Sequence, residues 1–323
     1  MTLSRRSVIG AGLCACALGG RAGARVAPGT MLPLVDAGYR PGDAVENGLW
    51  HDCDRHEEEL AASNLLLDAP AVHAYLVGVV RNMLGERARG SRLYLIRQPS
   101  FNAAMYPNGM MTVNSGLLLR VSTEAQLAAV LGHESGHYLR QHSLAAHRDR
   151  VRKTGVMAFV AAGSNVMAGA AAMSGGDGRS WVNLGNDING NLFASMFAFD
   201  RNQESEADAF GLRLLAEAGY TPSAAAEVWQ QQIEERQASA AARSKHYRAR
   251  ASVFDSHPPD ALRMSDLTLS AREVVPVSAP GRDGREDYRR AVAPLRAVLL
   301  DEQVKQNDPG ASLYLINAHA TDG

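Results

Sequence analysis

Residues 107–143 read PNGMMTVNSGLLLRVSTEAQLAAVLGHESGHYLRQHS, and this stretch decides the fold. Pro107-Asn108-Gly109 is a turn signal, since Pro pre-sets φ and Gly accepts a positive one. Met110 to Asn114 (MMTVN) then reads as a short strand, closed by Ser115-Gly116. Thr123-Glu124-Ala125-Gln126 has the spacing of a capping box, and Leu127, Val130 and Leu131 follow at helical spacing. An amphipathic helix is therefore expected from Thr123 on to His142. Inside it lies His133-Glu134-Ser135-Gly136-His137, the pattern H-E-x-x-H. Residues four apart share a helix face and sit about 6 Å apart along the axis, so both imidazoles can reach one ion at about 2.0–2.1 Å. Glu134 is offset enough to miss the ion and still contact a water beside it, which is the placement of a general base.

A catalytic zinc site needs a third protein ligand and an open fourth position. A third His on the same segment, at the metzincin spacing, is excluded because Ser143 stands there. Glu204-Ser205-Glu206-Ala207-Asp208 offers the ligand from a second helix. Glu204 can bind the metal, and Asp208, one turn on, can orient a ligating imidazole through its other N–H. Glu206 competes for the ligand role, but it points about 200° away from Glu204, so both cannot face the metal. Alone, such a cluster reads as a solvated acidic face. Paired with H-E-x-x-H it reads as the rest of a site for one Zn²⁺ per chain. His142 projects about 140° around the expected helix from His137 and is read as structural.

Three blocks carry a family resemblance. They are Asn102-Ala103 with residues 107–143, RNQESEADAFG at 201–211, and SHPPDALR at 256–263. In this order they resemble the gluzincin zinc metallopeptidase family that contains HtpX, the CAAX prenyl endopeptidase and BepA, closest to the soluble periplasmic members. The similarity spans about residues 48–265. It implies an α+β, mainly helical fold, with a small mixed sheet beside the H-E-x-x-H helix. It implies Glu204 as third ligand and Asp208 as support for a ligand. It places His257 near the metal, either stabilising the oxyanion or occupying the open position of a latent form. It makes Met110, Met111, Thr112, Val113 and Asn114 the edge strand on which substrate lies extended. The chain departs from the membrane-embedded relatives in having no apolar span after its first residues, and from BepA in lacking a C-terminal repeat array.

Residues 1–24 have Arg5-Arg6 before the apolar run Val8–Leu18, then Ala22-Gly23-Ala24 as a small-x-small cleavage site. They read as an export signal, of Sec or twin-arginine type, and place the protein in the periplasm or cell envelope. Leu13-Cys14-Ala15-Cys16 is a loose lipobox, so a lipid anchor on Cys16 stands as the alternative to cleavage. Cys53 is then the only cysteine beyond the signal, which excludes a disulfide framework. The expected domains are the signal at 1–24, a metallopeptidase domain at 25–274, and a linker with a helical tail at 275–323. A net charge of −1 with scattered acids and bases excludes a nucleic-acid partner. Polypeptides are the expected partners, with peripheral or lipid-anchored membrane association open and oligomeric state unspecified. The expected activity is cleavage of exported, misfolded or unassembled envelope proteins. The rival is a holdase that keeps zinc structurally and uses the apolar segment 154–173 to hold unfolded chains.

Overall fold

A computed structural model describes residues 35–36, 38–152, 197, 199–243, 261–274 and 281–321. The signal at 1–24, the apolar segment 154–173 and His257 lie outside the described residues. The described part is mostly helical with one small sheet. Helix α1 covers Ala44–Ala61 and α2 covers Pro70–Leu84. Strands β1 (Arg92–Ile96), β2 (Ala103–Met105) and β3 (Met110–Asn114) follow, then the short α3 (Ser115–Arg120) and α4 (Glu124–Leu139). The later helices are α5 (Arg201–Glu217), α6 (Ala224–Ala242), α7 (Ala261–Val274), α8 (Arg285–Val292), α9 (Arg296–Val304) and α10 (Pro309–Thr321). Among the described residues, no helix is long and apolar enough to cross a membrane.

The strand expected at Met110–Asn114 forms with those bounds, and Gly109 ahead of it takes φ 86 in the turn. It is not an edge. The sheet order is β1-β3-β2, with β1 parallel and β2 antiparallel to β3. Met110, Met111, Thr112, Val113 and Asn114 therefore cannot receive a substrate strand, because both sides of their ladder are filled. The missed element is β2. Its Ala-Ala-Met sequence carries no β-branched signal. Tyr106 N donates to Met110 O and Asn114 N donates to Asn102 O. Alternation along an antiparallel pair then turns the backbone groups of Ala103 and Met105 away from β3, toward the outer edge of the sheet.

Helix α4 starts as the sequence predicts. Thr123 Oγ1 accepts from Gln126 N at 3.1 Å, while Gln126 Oε1 accepts from Ser122 N at 2.7 Å, so the reciprocal bond closes one residue early. Two expectations fail. The helix is not amphipathic in its setting: every residue but Tyr138 is buried, because α2, α5, α6 and β2 surround it. Nor does it run to His142. It ends at Leu139, Gln141 takes φ 56, and a new helical stretch begins at 142. On α5, Asp200 and Gln203 close a full capping box, and Gly219 at φ 79 ends the helix.

The C-terminal stretch, expected as a linker and tail, shares the main core instead. Tyr288, Val292, Leu295, Leu299 and Leu315 join the same buried cluster as Leu76, Leu117, Leu127 and Leu131. Helices α8 and α9 are separated by a tight turn at Ala293–Leu295 that contains Pro294.

Candidate metal centre

The centre is set by how closely α4 and α5 approach. Gly136 lies where a Cβ would meet Ala207 O at 3.0 Å, and Gly211 where one would meet His133 N at 2.9 Å. Only glycine lets the two backbones touch there, and the contact brings Glu204 on α5 up to the imidazoles on α4. His133 Nε2 and His137 Nε2 are 3.1 Å apart. Glu204 Oε2 is 3.6 Å from the first and Oε1 is 3.6 Å from the second. All three side chains are buried, and their candidate ligand atoms lie within 4.8 Å of one another. Ligands at about 2.0–2.1 Å from a tetrahedral zinc sit about 3.3 Å from each other. The observed separations bracket that value, and the two-His, one-carboxylate donor set is one that zinc takes. The residues present fit the metal.

Each imidazole is held from behind by a different partner. Asp208 Oδ1 is 2.9 Å from His133 Nδ1, so the carboxylate accepts that N–H and leaves Nε2 to face the centre. Arg263 on α7 grips the same carboxylate, Nε to Oδ2 at 2.7 Å and Nη2 to Oδ1 at 2.8 Å. Burial alone would raise the Asp208 carboxyl, but the bonds from Arg263 and His133 hold it well below the usual carboxylate range. Arg263 also places Nη1 2.8 Å from Glu204 Oε2 and lies over the Trp229 ring at 4.4 Å. On the other side, His137 stacks on Phe199 with ring centroids 3.8 Å apart, and its Nδ1 lies 2.9 Å from His142 Nδ1.

Glu134 is buried on α4 beside His133. A mostly apolar cavity of ≈ 40 Å³ adjoins it, lined also by Asn102, Ala103, Val130, Leu212 and Trp229. The start of β2 and the carboxylate thus border one space.

The structure brings together His133, Glu134, His137, Glu204 and Asp208. It leaves Met110–Asn114 in the middle of the sheet, and His257 lies outside the described residues. Sequence reasoning missed Arg263 and His142 at this centre. Arg263 closes the block at 256–263, but nothing in that block said which way it faces. His142 was set aside on the geometry of an unbroken helix, and the break at Gln141 removes that premise. Glu206 proves to be a partner of His142, with Nε2···Oε2 3.1 Å. Burial pushes the His142 imidazole below its ordinary pKa, against the opposing pull of Glu206. Cys53 is buried and reduced, with burial raising its thiol to about 12, as suits an inert core residue.

Comparison with known proteins agrees with this geometry. The family model described as peptidase family M48 matches residues 67–271. The beta-barrel assembly-enhancing protease of Escherichia coli is 24% identical over 294 residues, 85% of this chain and 56% of that protein. The mitochondrial metalloendopeptidase OMA1 of Schizosaccharomyces pombe is 34% identical over 138 residues, 43% of this chain and 36% of that protein. The metalloprotease LoiP of Escherichia coli is 29% identical over 222 residues, 66% of this chain and 77% of that protein. The chain thus spans about half or less of the first two relatives.

Proposed function

Because the chain belongs to peptidase family M48, we propose that it is a zinc-dependent endopeptidase in which His133, His137 and Glu204 hold one ion and Glu134 is the general base. The observation that carries this reading is the convergence of two imidazole Nε2 atoms and one carboxylate at 3.1 and 3.6 Å separations in a buried site. Bound zinc supplies Lewis acidity, which polarises a carbonyl and brings the pKa of a water to about 7. Glu134 takes the proton from the attacking water and returns it to the leaving amine. Asp208 keeps His133 in the tautomer that presents Nε2, and Arg263 fixes Asp208 in turn.

An extended substrate would lie on the outer edge of β2. The N–H and C=O groups of Ala103 and Met105 that face away from β3 would offer strand pairing once that edge is uncovered, since both residues are buried, and Ala103 borders the same cavity as Glu134. By the family resemblance, His257 is proposed either to stabilise the oxyanion or to occupy the open position of a latent form. Exported polypeptides, misfolded or unassembled, are the proposed substrates. The signal-like sequence pattern of residues 1–24 supports this, as does the role in beta-barrel assembly for which one relative is named.

The test is Glu134→Gln, read in metal content and in cleavage of an unfolded protein such as casein. Cleavage should fall by about 10²–10⁴-fold with zinc retained. Undiminished cleavage, or a wild-type protein that binds no zinc, would reject the mechanism. Bound zinc with no cleavage by the wild type would favour the holdase.

A further inference from the structure

The two metal-facing imidazoles differ in what stands behind them. His133 has a carboxylate, the common arrangement. His137 has another imidazole. We propose that His142 and Glu206 form a positioning relay that fixes the tautomer and ring angle of His137, and through it the metal affinity of the site. This rests on the reading of His137 as a ligand.

The geometry comes from the break in the helix. Had α4 continued, His142 would point about 140° away from His137. The positive φ of Gln141 turns the chain and brings His142 Nδ1 to 2.9 Å from His137 Nδ1. The other nitrogen, His142 Nε2, lies 3.1 Å from Glu206 Oε2. Glu206 Oε1 accepts from Arg140 Nε at 2.5 Å, so the carboxylate is itself held from the side.

Hydrogen-bond roles then follow in one direction. An ionised carboxylate only accepts, so His142 Nε2 carries the proton. A singly protonated ring leaves His142 Nδ1 as an acceptor. The partner nitrogen, His137 Nδ1, must therefore donate. That leaves the lone pair of His137 on Nε2, the atom facing His133 Nε2 and Glu204. The opposite order would put a proton on His137 Nε2, pointing into the centre, where it would block a ligand bond. The plane of the ring is set independently by the stack on Phe199, with an interplanar angle of 18°. The relay also explains the spacing of the acidic run. Glu204 and Glu206 face different sides of α5, one toward the metal centre and one toward the residue behind His137.

The experiment measures zinc affinity by competition with a chelator, and the visible spectrum of the cobalt(II)-loaded protein, on the full chain. His142→Ala should weaken zinc binding by about 10–100-fold and alter the cobalt spectrum. His142→Asn keeps an acceptor near the Nδ1 position and should recover much of both. A role limited to packing predicts that the two variants lose stability alike while affinity and spectrum stay at wild-type values, and that result overturns the relay. If His142→Ala fails to fold, Glu206→Ala tests the same relay from its half-exposed end. It should weaken binding several-fold, and unchanged affinity there overturns the proposal. A wild-type chain that binds no metal would overturn the metallopeptidase reading, and the relay with it. Tight wild-type binding with unchanged variants overturns the relay alone.

Discussion

Two helix seams in this protein use the same device for different ends. Where α4 meets α5, glycines at 136 and 211 let backbone touch backbone, and the result is a candidate metal centre. Where α6 meets α10, Gly310 does the same: a Cβ there would stand 2.2 Å from Ala238 O. Yet that second seam places no side chain at the centre. Around it lie Ser239 with Asp308, Tyr314 with Glu234, and the pair Arg120–Glu235 extended to Gln303. The first seam converts a close approach into ligand geometry. The second converts it into attachment of the C-terminal helices. Substitutions in the two should therefore separate chemistry from stability.

The largest effect is expected at Arg120. Its guanidinium meets Glu235 through several bonds, reaches Gln303 Oε1 at 2.7 Å, and is buried with its partner. Arg120→Met leaves the Glu235 charge buried and unpaired, which costs about 3–5 kcal/mol. Urea unfolding should show that loss, while zinc affinity of the folded protein stays unchanged. A matching fall in zinc affinity would mean that the seams are coupled and would break the comparison.

Next is a matched pair. Gly211→Ala pushes a methyl against His133 N and should displace the ligand helix. An error near 1 Å in a reacting centre costs about 10²-fold in rate, so cleavage should fall by that order, with about 1–3 kcal/mol of stability lost to overpacking. Gly310→Ala makes the tighter clash of the two. It should cost similar stability and leave the cleavage rate of the folded protein unchanged. Equal rate losses in both would show that stability alone governs activity.

The contrast between the seams also explains what could be read from sequence. The cluster of candidate ligands was legible because metal chemistry restricts residue type and spacing together: His133 and His137 one turn apart, Glu204 and Asp208 one turn apart. The strand at 110–114 was legible from its turn, but its place in the sheet was not. Centre and edge differ only in what pairs with them, and the partner β2 is three residues with no strand signal. His142 was misplaced because a single positive φ at Gln141, a residue with no strong preference for it, redirects everything after it. The C-terminal helices were read as a tail because their apolar residues are interspersed with charge. Their burial depends on distant surfaces, such as that of α3, which local periodicity does not encode.

The smallest of these effects tests where the second region joins the first. Tyr288 on α8 is buried, and its hydroxyl donates to Leu118 O at 2.5 Å. That carbonyl needs the bond. Its helical donor would be Ser122 N, but Ser122 N is committed to Gln126 Oε1 at the cap of α4. The early closure of the α4 cap therefore strands a carbonyl on α3, and a tyrosine from the C-terminal helices satisfies it. Tyr288→Phe keeps the ring and removes only the donor. It should cost about 1–2 kcal/mol, because Leu118 O is left buried without a partner. Gln126→Ala frees Ser122 N and should shrink the cost of Tyr288→Phe in a double-mutant cycle read by urea midpoint. Strict additivity would show that the cap and the C-terminal helices act independently, and the join would then rest on apolar packing alone.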